Sequence, residues 1–98
     1  MEVRVLAIEP QAEPGSFDVV VALGSEQRHF QLVVELVPIG AVLLQIVQDD
    51  DALPRFLHGY FAIDVAIREL VARRHNGKPV RLPAVVGRIE ALAPVALP

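Results

Sequence analysis

The stretch VQDDDALPRF, residues 47–56, decides the fold because the hydrophobic period changes inside it. Before this stretch, apolar residues alternate with a period of two, which is typical of β-strands. After Asp51 they recur with a period of about 3.6, which predicts an amphipathic helix. A run of strands followed by a helix predicts an α+β domain, in which the helix packs on one face of an antiparallel sheet.

The three aspartates in this stretch, Asp49, Asp50 and Asp51, stand where a helix begins. We expect Asp50 or Asp51 to be the N-cap, with a carboxylate that accepts hydrogen bonds from N–H groups of the first turn. Pro54 falls in that turn, where its missing N–H had no partner to lose. A metal site would need ligands that converge from elsewhere, and no spaced aspartate loop of the calcium-binding kind follows. The pattern therefore predicts capping.

The predicted helix extends over roughly residues 51–75 and has a clear end. In RRHNGKP, residues 73–79, basic residues occupy the last turn, Gly77 stands at the left-handed position and Pro79 follows. The predicted apolar stripe consists of Leu53, Phe56, Leu57, Tyr60, Ile63, Ile67, Leu70 and Val71.

Asp64 does not fit a continuous helix, because it would lie in the middle of the apolar stripe, where an unpaired carboxylate is costly. A kink or break near Gly59 would divide the helix into segments of roughly 51–58 and 61–75. Asp64 would then move to the edge of the stripe and could pair with Arg68 one turn later. The inner row of the second segment would be Ile63, Ile67, Leu70 and Arg74. The sequence leaves open whether Asp64 is paired or functional.

About four strands are expected before the helix. They span roughly residues 2–8, 17–23, 28–36 and 41–47. The second and third alternate apolar and polar residues around a turn that starts at Gly24, which predicts a hairpin with a four- or five-residue loop. Pro38 and Gly40 break or bend the chain before the fourth strand. That strand, AVLLQIV, is apolar on both faces, so we expect it to be central.

The segment 80–92 is compatible with a short strand or a helix. Val85, Ile89 and Leu92 have helical spacing, whereas Gly87 and the paired valines favour a strand. With 98 residues, the chain 1–98 is expected to form a single small domain.

The composition predicts self-association. The chain is 53% hydrophobic, somewhat above the roughly 45–50% of average globular domains. A small domain has a large surface to cover, and a second copy is the commonest partner for surplus apolar residues. The reverse faces of the predicted strands are also half apolar, so a helix or another subunit is expected to cover them. Val20, Val33 and Leu43 are the candidate covered positions.

The sequence contains no cysteine, which excludes disulfides, thiolate zinc sites and a cysteine nucleophile. Its first residues lack the basic start and apolar core of a signal peptide. The longest apolar run, residues 36–47, is too short to span a bilayer. We therefore expect a soluble, cytoplasmic protein with no membrane association.

Charge is divided unevenly along the chain. Residues 1–51 carry nine acidic and two basic side chains, whereas residues 52–98 carry three acidic and seven basic ones. The basic half could contact an anion or nucleic acid. Its candidate contacts are Arg73, Arg74, Lys78, Arg81 and Arg88. Against nucleic acid stand a pI near 5.5 and the lack of interleaved aromatic residues for base stacking.

An enzyme is the weakest alternative. The three histidines show no metal-ligand spacing, and neither serine stands in a nucleophile motif. A His58–Asp64 acid–base pair, or a metal site that adds the aspartate run, are the arrangements that the residues allow. We expect no cofactor.

The sequence thus favours a non-catalytic interaction or regulatory domain, most simply a homodimer that has another protein as a further possible partner. Anion or nucleic-acid binding through the arginines of segment 68–88 is the alternative, and a small enzyme or metal-binding protein is the second alternative. The sequence does not name the biological role or the partner.

Overall fold

The structure, a computed structural model, describes residues 1–90 and is an α+β fold with one antiparallel sheet. Its elements in chain order are β1 (Glu2–Pro10), β2 (Ser16–Leu23), β3 (Glu26–Ile39), β4 (Val42–Gln48), α1 (Ala52–Phe56), α2 (Phe61–His75) and β5 (Ala84–Arg88). The five strands are ordered β4-β3-β2-β1-β5, and every neighbouring pair is antiparallel. The predicted fold class is confirmed, but the sheet has one strand more than the four expected.

The core lies between one sheet face and the two helices. Alternate residues of β2 and β3 point into it, as the period of two requires. Its fully or nearly fully buried members include Val3, Val5, Val19, Val21, Leu32, Leu53, Leu57, Ile67 and Val71. Most of the predicted apolar stripe therefore belongs to the core, although Tyr60 and Arg74 are exposed, contrary to expectation.

The β2–β3 hairpin is tighter than predicted. Leu23 pairs directly with Glu26, so the loop has two residues and the expected four or five is wrong. Gly24 adopts a φ of 60°. A positive φ with glycine at the first loop position is typical of the type II′ turn, whose twist matches that of the flanking strands.

β4 lies at an edge of the sheet, so the prediction of a central strand is wrong. β4 is apolar on both faces, yet most of its residues are exposed and not buried. Pro38 also fails to end β3, which continues to Ile39. Proline is tolerated at this position because it lies on an outer edge, where no ladder hydrogen bond needs its missing N–H.

The segment 80–92, which the sequence left open, forms β5 at the other edge, against β1. Residues 91–92 lie outside the described residues. A Cβ atom added to Gly87 would stand 2.6 Å from Cγ1 and 2.8 Å from Cδ1 of Ile63 in α2. Glycine therefore lets the helix pack directly on this strand, and its presence in the strand has a packing reason.

The helical region is two helices and not one kinked helix. His58 and Gly59 both have positive φ, at 52° and 76°, and this left-handed pair ends the first helical segment. The break lies where Asp64 required it. At the end of α2, Lys78 N–H donates to Arg73 O at 2.9 Å and Gly77 N–H donates to Arg74 O at 3.2 Å. This Schellman motif confirms the predicted helix end.

We predict that Gly87→Ala lowers the free energy of unfolding by about 1–3 kcal/mol, because the new methyl group overlaps Ile63. Urea denaturation of the variant would measure the loss. In an Ile63→Ala background the same substitution should cost less by at least about 0.5 kcal/mol, since the opposing atoms are gone. An equal cost in both backgrounds would show that this contact does not limit the packing of α2.

Candidate protein interaction site

The Arg68 guanidinium makes three hydrogen bonds within the described part of the chain. Its Nε donates to Asp64 Oδ1 at 2.6 Å, its Nη2 to Asp49 Oδ1 at 3.1 Å and its Nη1 to the carbonyl oxygen of Val47. The Asp49 side chain is only 4% exposed, and those of Asp64 and Arg68 are mostly buried. One guanidinium thus joins the end of β4, the start of α1 and the first turn of α2.

The aspartate run caps α1 as expected, but chiefly through Asp49, which was not one of the two expected capping residues. Asp51 is the N-cap by position, yet it has left-handed backbone and its side chain makes no capping bond. Asp49 instead accepts hydrogen bonds from the N–H groups of Leu53 at 2.9 Å and of Asp51 at 3.2 Å. Asp50 accepts one from Ala52 at 3.3 Å. The main capping carboxylate therefore stands one or two residues before the expected position, and the same carboxylate also accepts a hydrogen bond from Arg68.

The charged side chains of this cluster are held in ion pairs with one another. Burial alone would lower the pKa of the Arg68 guanidinium, but the hydrogen bonds and charges of Asp64 and Asp49 outweigh it and raise that pKa above its ordinary value. Asp64 is thus occupied by an ion pair. Within residues 1–90, no three His, Cys, Asp or Glu residues are grouped as a metal site would require. Nothing in this geometry favours His58 and Asp64 as an acid–base pair.

We predict that Asp49→Ala lowers the free energy of unfolding by about 2–4 kcal/mol, because it removes a cap and leaves Arg68 with one carboxylate fewer. Asp49→Asn keeps an acceptor for the cap and should recover part of that loss. The matched control is Asp50→Ala, which removes one long hydrogen bond at an exposed position and should cost under about 1 kcal/mol. Equal losses for both alanine variants in urea denaturation would contradict the role assigned to Asp49.

The predicted anion contacts belong to three segments. Arg73, Arg74 and Lys78 lie at the C-terminal end of α2, Arg81 lies in the following loop, and Arg88 ends β5 opposite Glu2. All five are exposed. Arg73 also donates to Pro79 O at 3.3 Å. The described contacts do not join them in one constellation, so anion binding by these residues stays a prediction.

A surface pocket of about 440 Å³ lies between β3 and α1. Phe30 and Phe56 form its apolar floor with ring centroids 5.3 Å apart, and the Arg28 guanidinium stands 5.4 Å above the Phe56 ring. Arg28 is also paired with Glu26 at 2.8 Å. Arg28 therefore already has an acidic partner and an aromatic face within the pocket.

An apolar hairpin projects from the sheet, although a folded chain of this size does not need one. β2 pairs with β3 only as far as Val33, and Val34 N–H donates to Gly15 O at 2.8 Å. Beyond Val34, β4 is the one described strand that pairs with β3. Residues 35–46 therefore form a two-stranded ribbon, here named the β3–β4 arm. Two strands without a further neighbour are at best marginally stable in water.

Both faces of the β3–β4 arm carry exposed apolar side chains. Five of them are 46–64% exposed: Leu36, Ile39, Val42, Leu43 and Leu44. Because side chains alternate along β3, Leu36 lies on the same face as the buried Val34, and the cross-strand pair Pro38–Leu43 puts Leu43 there too. The remaining three lie on the opposite face. Exposed apolar residues concentrated in one element are typical of interaction surfaces, so the β3–β4 arm is the candidate site.

The sequence shows this segment as an apolar run, but the prediction that its strand is central in the sheet is wrong. Of the candidate covered positions, Val20 and Val33 are half-buried, whereas Leu43 is exposed. The feature that distinguishes the arm is the length of β3, because its residues 36–39 extend past the end of its partner strand β2. Strand pairing is long-range information, so hydropathy alone does not show it.

No protein-family model, curated protein or solved structure matches the chain. Among the described residues, no helix is long and apolar enough to cross a membrane.

Proposed function

We propose that this chain is a non-catalytic interaction domain that self-associates through the β3–β4 arm. The observation that carries the proposal is the exposure of five large aliphatic side chains on one ribbon that has no other neighbour among the described strands. An enzyme would need convergent polar groups that are available to a substrate, and in the cluster around Arg68 those groups are held in ion pairs with one another.

The energetics favour a protein partner that also supplies hydrogen bonds. Even complete burial of the exposed half of all ten aliphatic side chains in a pair of copies would yield at most on the order of 10 kcal/mol. That is comparable with the roughly 4–15 kcal/mol lost in translational and rotational freedom on association. The free energy gained by burial alone therefore does no more than offset this loss. Backbone hydrogen bonds of about 0.5–1.5 kcal/mol each then decide whether two copies associate.

Charge favours a second copy as that partner. Although the chain has a net charge of −3, residues 36–48 contain no charged side chain. Two arms can therefore meet without like-charge repulsion, and a surface that is apolar and neutral is complementary to itself. The cytoplasmic location expected from the sequence belongs to this proposal, and so does a further protein partner of the dimer.

We predict that light scattering gives a molar mass near twice 10.7 kDa, and that Leu43→Lys shifts the protein to monomer. A lysine in the paired arm would have to be buried or would block the contact. The matched control is Val85→Lys in β5, because Val85 and Leu43 are almost equally exposed, at 62% and 64%.

The control variant should remain dimeric with the wild-type dissociation constant, whereas Leu43→Lys should weaken dimerisation by at least about 100-fold, equivalent to the loss of one well-buried anchor. A wild-type protein that is monomeric at millimolar concentration would overturn the proposal. Equal effects of the two lysines would place the interface elsewhere.

A further inference from the structure

The sheet edges differ in their capacity to pair. β5 follows Pro83, contains Gly87 and is irregular opposite Val3–Arg4, which are features that blunt an edge. The outer edge of β3 within the β3–β4 arm carries Pro38, which has no N–H. β4, by contrast, contains no proline, glycine or charged residue from Val42 to Gln48.

The direction of the backbone groups of β4 follows from its hairpin. Gly40 and Ala41 form a two-residue loop, and the residues that flank such a loop are a hydrogen-bonded pair. N–H and C=O groups alternate in direction along an antiparallel strand, so Leu43, Gln45 and Val47 direct theirs away from β3.

Two contacts and the position of Pro38 agree with this assignment. The carbonyl of Val47 faces outward and accepts the Arg68 hydrogen bond. Val34, the β3 partner of Val47, likewise donates away from β4, to Gly15 O. Pro38 occupies an outward position of β3, where no ladder hydrogen bond is lost. Since Arg68 occupies the Val47 carbonyl, the backbone groups left for a partner at the outer edge of the arm are those of Leu43 and Gln45.

We propose that two copies pair edge to edge through β4, antiparallel about a two-fold axis at Leu44. Leu43 of each copy would exchange hydrogen bonds with Gln45 of the other, which uses all four outward backbone groups of these two residues of each strand in four hydrogen bonds. An axis at Gln45 would instead oppose Leu43 to Val47, whose carbonyl is occupied. This register rests on the proposed self-association and specifies its geometry.

The side chains support the same register. With the axis at Leu44, Val42 of each copy lies opposite Ile46 of the other, and the two Leu44 side chains lie opposite each other. On the face opposite the helices, the six side chains of the two strands form a continuous aliphatic row across the interface. The two five-stranded sheets join into one sheet of ten strands.

Single cysteine variants test this register cleanly because the chain contains no cysteine. Leu44→Cys should form a disulfide-linked dimer under mild oxidation, since opposed residues in a non-hydrogen-bonded pair have Cβ atoms about 4.5–5.5 Å apart. Val42→Cys is the matched control on the same strand and face. Its two copies would lie four residues apart, or roughly 13 Å, which is too far to cross-link.

We expect Leu44→Cys to cross-link at least about tenfold faster than Val42→Cys, with the difference abolished in urea. A mixture of Val42→Cys and Ile46→Cys proteins should cross-link to each other, and this result does not depend on altering Leu44. Light scattering of wild-type protein separates the two proposals. A dimer in which neither Leu44→Cys nor the mixture cross-links preferentially overturns the register and leaves self-association standing. A monomer overturns both.

Discussion

The ion-pair cluster around Arg68 is the constraint on which the rest of the structure depends. The sheet and the helices meet where β4 ends, and the chain must turn there without leaving polar groups buried and unpaired. Arg68 meets this need by binding Asp49, Asp64 and the Val47 carbonyl together. Asp49 in turn holds the first N–H groups of α1. An arginine is suited to this position because its planar guanidinium presents several donors in fixed directions.

The same cluster sets the boundary of the exposed arm. At Val47 the outer edge of β4 is covered by the Arg68 side chain, whereas from Ile46 back to Val42 it lies open. On the helix-facing side, Gln45 exchanges two hydrogen bonds with Asn76 at the end of α2, at 2.9 and 3.1 Å. The base of the arm is therefore anchored to the helical layer while its tip projects. A rigid base lowers the entropy that an apolar ribbon loses when it pairs, and this suits a preorganised interface.

Local signals predicted the helical half of the molecule well and the far end of the sheet poorly. The break near Gly59 followed from Asp64, because a buried carboxylate without a cation is too costly to tolerate. The helix end at Gly77 followed from local stop signals. The capping role of Asp49 was missed because that residue is shared with Arg68, nineteen residues away in sequence. The edge position of β4 was missed because hydropathy does not distinguish an apolar strand that is buried from one that is exposed.

The sequence by itself determined the α+β class, the strand and helix periods, the β2–β3 hairpin, the helix break and the lack of any cysteine chemistry. These depend on residues close together in the chain, where backbone preference and side-chain spacing act directly. Only the tertiary structure decided that β5 pairs with β1, that Asp49 and Asp64 share one arginine, and that the apolar run after Glu35 projects as an arm. Each of these depends on which distant segments become neighbours, and that is a property of the packed chain as a whole.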